Sequence, residues 1–186
     1  MNFLSKYKIK GELTLTVKNR EGKIKKLWNE NWLGKLIRTY LGKDLQGNFL
    51  LGKWIDNLKI LNVTTNTGFA GCASRFNGEG AEAAFTYLAV GIGTTAAAAT
   101  DTALGAEITT GGLERAAATC TRETTTQTND TAVLNKTWTA SASFAVTEAG
   151  AFNAASAGVM PGRQVFSAVN VASGDALQVI YKFKLS

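Results

Sequence analysis

The chain predicts a mainly β fold: an antiparallel β-sandwich, jelly-roll or Ig-like, with one short N-terminal helix. Two alternating segments carry that expectation. Between residues 137 and 146, Trp138, Ala140, Ala142, Phe144 and Val146 share one face, and Thr137, Thr139, Ser141 and Ser143 share the other. Between residues 176 and 186, Leu177, Val179, Tyr181, Phe183 and Leu185 alternate with Gln178, Lys182 and Lys184. A period of two is what a strand with one buried face requires. Sheets of that kind bury the apolar face against a second sheet. Trp138 and Phe144 are therefore expected on one face of one strand, in the core.

The elements follow in order. Leu13, Leu15 and Val17 alternate with Thr14, Thr16 and Lys18, Asn19-Arg-Glu-Gly22 supplies a turn, and residues 23–28 return as the second arm of a hairpin. Asn31 caps a helix carrying Leu33, Leu36, Ile37, Tyr40 and Leu41 at helical spacing, with Gly42 placed to end it. Residues 57–64 form a strand, and the Gly-rich residues 65–82 read as a surface loop. Residues 115–126 and 132–146 flank a hairpin connection at 127–131. Residues 164–171 and 176–185 flank another at Ala172-Ser-Gly-Asp175. Their long Thr/Ala runs suit half-exposed strands.

Four short motifs punctuate the second half: Leu88-Ala-Val-Gly91, Asp101-Thr-Ala-Leu-Gly-Ala-Glu107, Glu148-Ala-Gly-Ala-Phe152 and Gly174-Asp175. Their order over residues 84–186 resembles a group of tailed-bacteriophage structural proteins, including the attachment regions of tail-collar and tail-fibre proteins. The motifs form turns and carry no catalytic groups. The resemblance implies a virion structural protein, assembled in the bacterial host cytoplasm. Its expected partners are other virion proteins, either the major capsid or the neck and tail proteins, together with further copies of itself.

Composition bounds the chemistry. The chain has 186 residues, 45% hydrophobic and 18% charged, with no histidine and two cysteines. That suits one folded domain. No apolar run approaches the ~20 residues that span a bilayer. Lys6, Lys8 and Lys10 break up any signal-peptide core, so neither a membrane nor a secretory route is expected. Cys72 and Cys120 lack metal-site spacing and read as reduced, mostly buried thiols. Without histidine, a hydrolase needs convergent carboxylates, and the acids here are dispersed. Catalytic residues, metal ligands and cofactors are therefore all expected to be absent. Gly91-Ile-Gly93-Thr-Thr-Ala96 imitates a dinucleotide loop, but hairpins follow it rather than a βα series, so it reads as a structural loop. Asp101 is expected to cap a single helical turn that holds Leu104 inward. Glu148 is expected in the Thr147-Glu-Ala-Gly turn, accepting amides of that turn or pairing with Arg163.

Charge is uneven. Residues 1–60 hold thirteen Lys/Arg against five Asp/Glu, and residues 61–186 hold seven against nine. The chain thus reads either as a basic docking region, 1–60, ahead of a sandwich, 61–186, or as one continuous domain. The expected interface comprises Lys6, Lys8, Lys10, Lys23, Lys25, Lys26, Trp28 and Trp32, with the strand at residues 13–17 open to strand addition. A partner with an acidic protein surface is expected, rather than nucleic acid. The role expected is a non-enzymatic capsid decoration, cement, neck or tail subunit. The alternative is a receptor- or carbohydrate-binding module of a tail fibre, using residues 65–82.

Overall fold

The computed structural model describes residues 9–41, 43, 46–80 and 82–185. Its first strand, β1 (Ile9–Lys18), buries Leu13, Leu15 and Val17 completely. β1 lies between two neighbours. It pairs antiparallel with β12 (Ala176–Leu185), from Ile9↔Leu185 to Lys18↔Ala176, and on its other side with β4 (Leu58–Leu61). With β8 (Thr119–Glu123) and β9 (Thr131–Thr139), these strands make a five-stranded sheet of order β4-β1-β12-β9-β8.

A second sheet is built from β5 (Val63–Thr64), β6 (Tyr87–Gly91), β7 (Ala116–Ala117), β10 (Phe144–Phe152) and β11 (Gly162–Val171), in the order β5-β11-β10-β6-β7. The sheets share one core, as in a β-sandwich. Leu13, Leu15, Leu177, Val179 and Tyr181 of the first pack with Leu88, Val90, Val146, Ala149 and Val169 of the second.

Several expectations are corrected here. Both edges of the strand at residues 13–17 are occupied, so it cannot accept an added strand. The N-terminal hairpin shrinks to one bridge, Lys18↔Ile24, after which the chain leaves the sheet. It forms β2 (Leu27–Glu30), α1 (Trp32–Leu41) and β3 (Gly52–Ile55), where β2 pairs with β3, before rejoining at β4. This excursion lies against the second sheet, with the Gln46 amide donating to Ala168 O at 2.8 Å.

Residues 132–146 are not one strand. The chain breaks at residues 140–143 and crosses between sheets, putting Trp138 on β9 and Phe144 on β10. Trp138 is buried, while Phe144 is half-buried against the core. Residues 172–175 likewise join β11 to β12 across the sandwich rather than closing a hairpin. The β8–β9 hairpin is present as expected. Residues 147–152 lie inside β10 rather than in a turn.

The described residues hold two helices, not one. Residues expected to form a loop make α2 (Asn66–Asn77). The Thr65 hydroxyl caps it by accepting from Gly68 N at 3.0 Å, and Gly78 ends it at φ 74. Two interior glycines weaken a helix by ~1 kcal/mol each relative to alanine, which is why the segment reads as a loop. Tertiary packing compensates. A Cβ on Gly68 would stand 2.5 Å from the Pro161 backbone, and one on Gly71 would stand 2.8 Å from the Phe85 ring.

Candidate functional site

The expected interface residues fall into separate groups. Lys6 and Lys8 lie outside the described residues. Lys10 is exposed on β1, opposite Lys184 of β12. Lys23 pairs with Glu21 at 3.0 Å and Lys26 with Asp56 at 2.7 Å. Lys25 Nζ donates to Asp175 Oδ2 at 2.7 Å and to Asn170 O at 3.0 Å, bracing the sandwich. Burial opposes the Asp175 charge, yet Lys25 and the Ala172 amide hold this carboxyl below its usual range. Trp28 is 3% exposed and packs edge-to-face on Trp54 at 5.4 Å, so it belongs to the interior. Trp32 is 76% exposed.

Trp32 heads the one surface that this residue set located. On α1, Trp32, Leu36 and Tyr40 recur every four residues, which places them in one stripe. All three are exposed, as is Leu41. Asn31 starts the helix, its side-chain oxygen accepting from Leu33 N and Gly34 N at 3.0 Å. The same side chain donates to Leu50 O at 2.7 Å, which fixes the loop bearing Phe49 and Leu50 to the helix start. Those two residues are 82% and 81% exposed. The stripe was visible in the sequence as an apolar helix face. Its orientation was not, because amphipathic spacing does not say whether the apolar side meets the core or solvent.

The rim of this surface is basic. Lys35, Lys43, Lys53 and Lys59 are exposed, and their ammonium groups make no hydrogen bond or ion pair among the described residues. By contrast, Glu30 on the inner side of α1 is bound by Arg38 through contacts of 2.7 and 2.9 Å. The surface thus combines large apolar side chains with free ammonium groups, which suits an acidic, partly apolar counter-surface.

The acidic motifs of the second half assemble elsewhere. A bulge between Val146 and Glu148 turns Glu148 toward the loop at residues 92–106. There Oε1 accepts from Gly93 N at 2.9 Å and Ala106 N at 2.7 Å, and Oε2 accepts from Gly105 N at 2.9 Å and from the Arg163 guanidinium at 2.7 Å. Arg163 reaches on to Asp101 at 2.7 Å. Burial works against the Arg163 charge, but the bonds to Asp101 and Glu148 outweigh it and raise its pKa. Glu148 pairs with Arg163 as expected, but the amides it accepts belong to the distant loop at residues 93–106 rather than to a turn of its own. Asp101 caps no helix. Its carboxylate accepts from Ala98 N at 2.9 Å in a loop that buries Leu104. The Gly91–Ala96 stretch is part of this cluster, with no following helix.

Every Glu148 oxygen already has two donors, so the group has no free lone pair positioned for proton transfer. Among the described residues, no group of three His, Cys, Asp or Glu is placed to hold a metal ion, and no helix is long and apolar enough to cross a membrane. Cys72 is half-buried, whereas Cys120, expected inside, is exposed on β8; burial nonetheless raises both thiol pKa values. Comparison with protein families, with curated proteins and with solved structures finds no match.

Proposed function

We propose that the chain is a non-enzymatic structural subunit of a tailed-phage particle, a capsid decoration or cement protein or a neck or tail component, acting through protein–protein contacts made in many copies. The observation that carries this reading is the exposed stripe of α1 with its adjoining loop. Trp32, Tyr40, Phe49 and Leu50 are each more than three-quarters exposed within 19 residues. Large aromatics anchor interfaces when a partner removes them from water. Free lysines at the rim favour an acidic partner surface. Repetition over a symmetric lattice multiplies the affinity of a small contact.

The motif order over residues 84–186 supports the phage assignment, and the crossings at residues 140–143 and 172–175 support a jelly-roll or Ig-like topology. A receptor-binding tail-fibre module is the second reading, favoured by the exposed Phe69 and Phe76 on α2.

The test is to purify particles produced from the genome that encodes this chain. Their proteins are identified by mass spectrometry, and the chain is located with gold-labelled antibody in the electron microscope. Regular labelling on head, neck or tail is expected. Absence of the chain from purified particles overturns the proposal, and labelling confined to fibre tips favours the second reading.

A further inference from the structure

At one end of the sandwich the first sheet outreaches the second. Gly11, Phe183, Ala132 and Arg122 lie side by side across β1, β12, β9 and β8, with Ile9 and Leu185 paired beyond them. Gly162, the first residue of β11, lies over this region: a Cβ built on it would stand 3.0 Å from the Tyr181 hydroxyl and 3.2 Å from the Phe183 ring. Beyond Gly162 the second sheet supplies no β11 residue to cover the remaining apolar rows.

Helix α2 roofs the gap, but with its smallest side chains. Gly68 and Cys72 line the inside, while Phe69 and Phe76 are exposed. Glycine and cysteine cannot reach down to the sheet, and a cavity of about 450 Å³ is left between them. Its walls include Ile9, Phe85, Leu134, Phe183 and Leu185. Size and apolar lining are those of a small-molecule site, which typically occupies ~300–1,000 Å³.

The charges at this cavity decide what suits it. Arg75 and Arg122 both line it. Arg75 donates through Nη1 to Glu82 O at 3.0 Å, whereas Arg122 has no partner among the described residues. Asp130, the one carboxylate in the wall among the described residues, is already saturated. It accepts from Gln127 N at 2.9 Å, Thr126 N at 2.8 Å and Thr125 N at 2.9 Å, together with the Thr125 and Thr131 hydroxyls. Those bonds hold its pKa far below the usual range, so it stays occupied by its own turn and does not pair with either guanidinium. Burial pushes the Cys72 thiol up and keeps that wall neutral.

We infer that this cavity binds an amphipathic carboxylate of the fatty-acid class, its chain against Leu134 and Phe183 and its head at Arg122 and Arg75. A neutral apolar ligand would make no use of the Arg122 guanidinium, nor of the donors that Arg75 does not give to Glu82 O. A sugar would find few polar groups in the apolar wall to replace its bonds to water.

The test uses the full chain, titrated calorimetrically with dodecanoate below its aggregation concentration and, in parallel, with dodecyltrimethylammonium. Melting temperature is followed with each. Saturable binding of one dodecanoate per chain is expected, with a raised melting temperature, because a ligand held by the folded state stabilises it. Arg122→Gln is expected to weaken binding about tenfold, the loss typical of one charged hydrogen bond. Ala132→Trp fills the cavity and is expected to abolish binding; should it not fold, Cys72→Phe fills the same space from the helix side. No saturable dodecanoate binding, equal binding of the cationic amphiphile, or unchanged binding in a folded cavity-filling variant each overturns the inference. So does tighter binding of a short apolar peptide with a free C-terminal carboxylate, which would place a polypeptide there instead.

Discussion

The Glu148 cluster and the outer face of α1 invert each other. Around Glu148, charge is buried and fully paired: a 0%-exposed carboxylate meets three amides and a guanidinium that is itself bound to Asp101. On α1, apolar surface faces solvent and the ammonium groups beside it have no partner among the described residues. A buried charge is tolerated only when its neighbours replace water, so the first region is complete within one chain. Exposed aromatics contribute little to the stability of an isolated chain, and on the proposed reading a partner surface completes the second. The difference separates what the fold needs from what it offers to a partner.

The largest way to break this contrast removes strands from the core. A chain beginning at residue 61 lacks β1 and β4, and with them Leu13, Leu15, Val17 and Leu58, all buried. Burying such side chains contributes ~1.5–3 kcal/mol each, against a total stability of ~5–15 kcal/mol for a typical domain. The shortened chain is expected not to fold, as read by near-ultraviolet circular dichroism. A cooperative melt from it would show that the first sheet survives without β1 and β4.

Next in size is Glu148→Ala. It leaves three loop amides without an acceptor and removes one of the two carboxylates bound to the buried Arg163 guanidinium, and ~3–5 kcal/mol is expected from urea denaturation, the range for removing one partner of a buried pair. A loss under ~1 kcal/mol, far below that range, would mean that water takes over the cluster. Asp130 sharpens the point by titration. Its folded pKa is depressed, chiefly by the Gln127 amide, so its contribution is present above the unfolded value of ~3.9 and is lost as pH falls below it. Asp130→Asn is expected to flatten the acid limb of the stability profile there; an unchanged limb would assign that slope to other carboxylates.

The smallest effect on stability belongs to the α1 face. Replacing Trp32, Leu36 and Tyr40 together by serine is expected to shift stability by only ~0.5 kcal/mol per site or less, as at ordinary surface positions. The same change is expected to abolish association with the particle, measured by co-sedimentation. Association of the unchanged chain is expected to weaken with salt, since the screening length falls from ~10 Å at 0.1 M to ~3 Å at 1 M. Retained co-sedimentation by the triple variant, or binding insensitive to salt, would move the docking surface elsewhere.

Much of this was legible in the chain, but unevenly. Alternation in residues 13–18 and 176–186 marked two strands, which the structure extends to Ile9–Lys18 and Ala176–Leu185, because a period of two survives whichever sheet receives it. The pairing of Glu148 with Arg163 was legible because an acid set among glycines and alanines, with an arginine fifteen residues on, has few other ways to be buried, whereas its amide donors come from a loop far away in sequence. The break at residues 140–143 was not legible. Ser141 and Ser143 continue the alternation unbroken through a segment that changes sheets, and local pattern carries no record of which sheet comes next.

The sequence by itself therefore determined the β class, the first helix with its Asn31 cap, the turn at Gly22 and the pairing preferences of Glu148, since each depends on neighbours within a few residues or on the chemistry of one side chain. Tertiary structure alone decided three things. It put β1 in the middle of a sheet, because β12 and β4 arrive from distant parts of the chain. It made α2 a helix, because Pro161 and Phe85 accept glycines where larger side chains would collide. It turned the α1 stripe outward and left a cavity beneath α2, because which surface of an element meets another is set by the packing of the whole chain and not by the periodicity of any one segment.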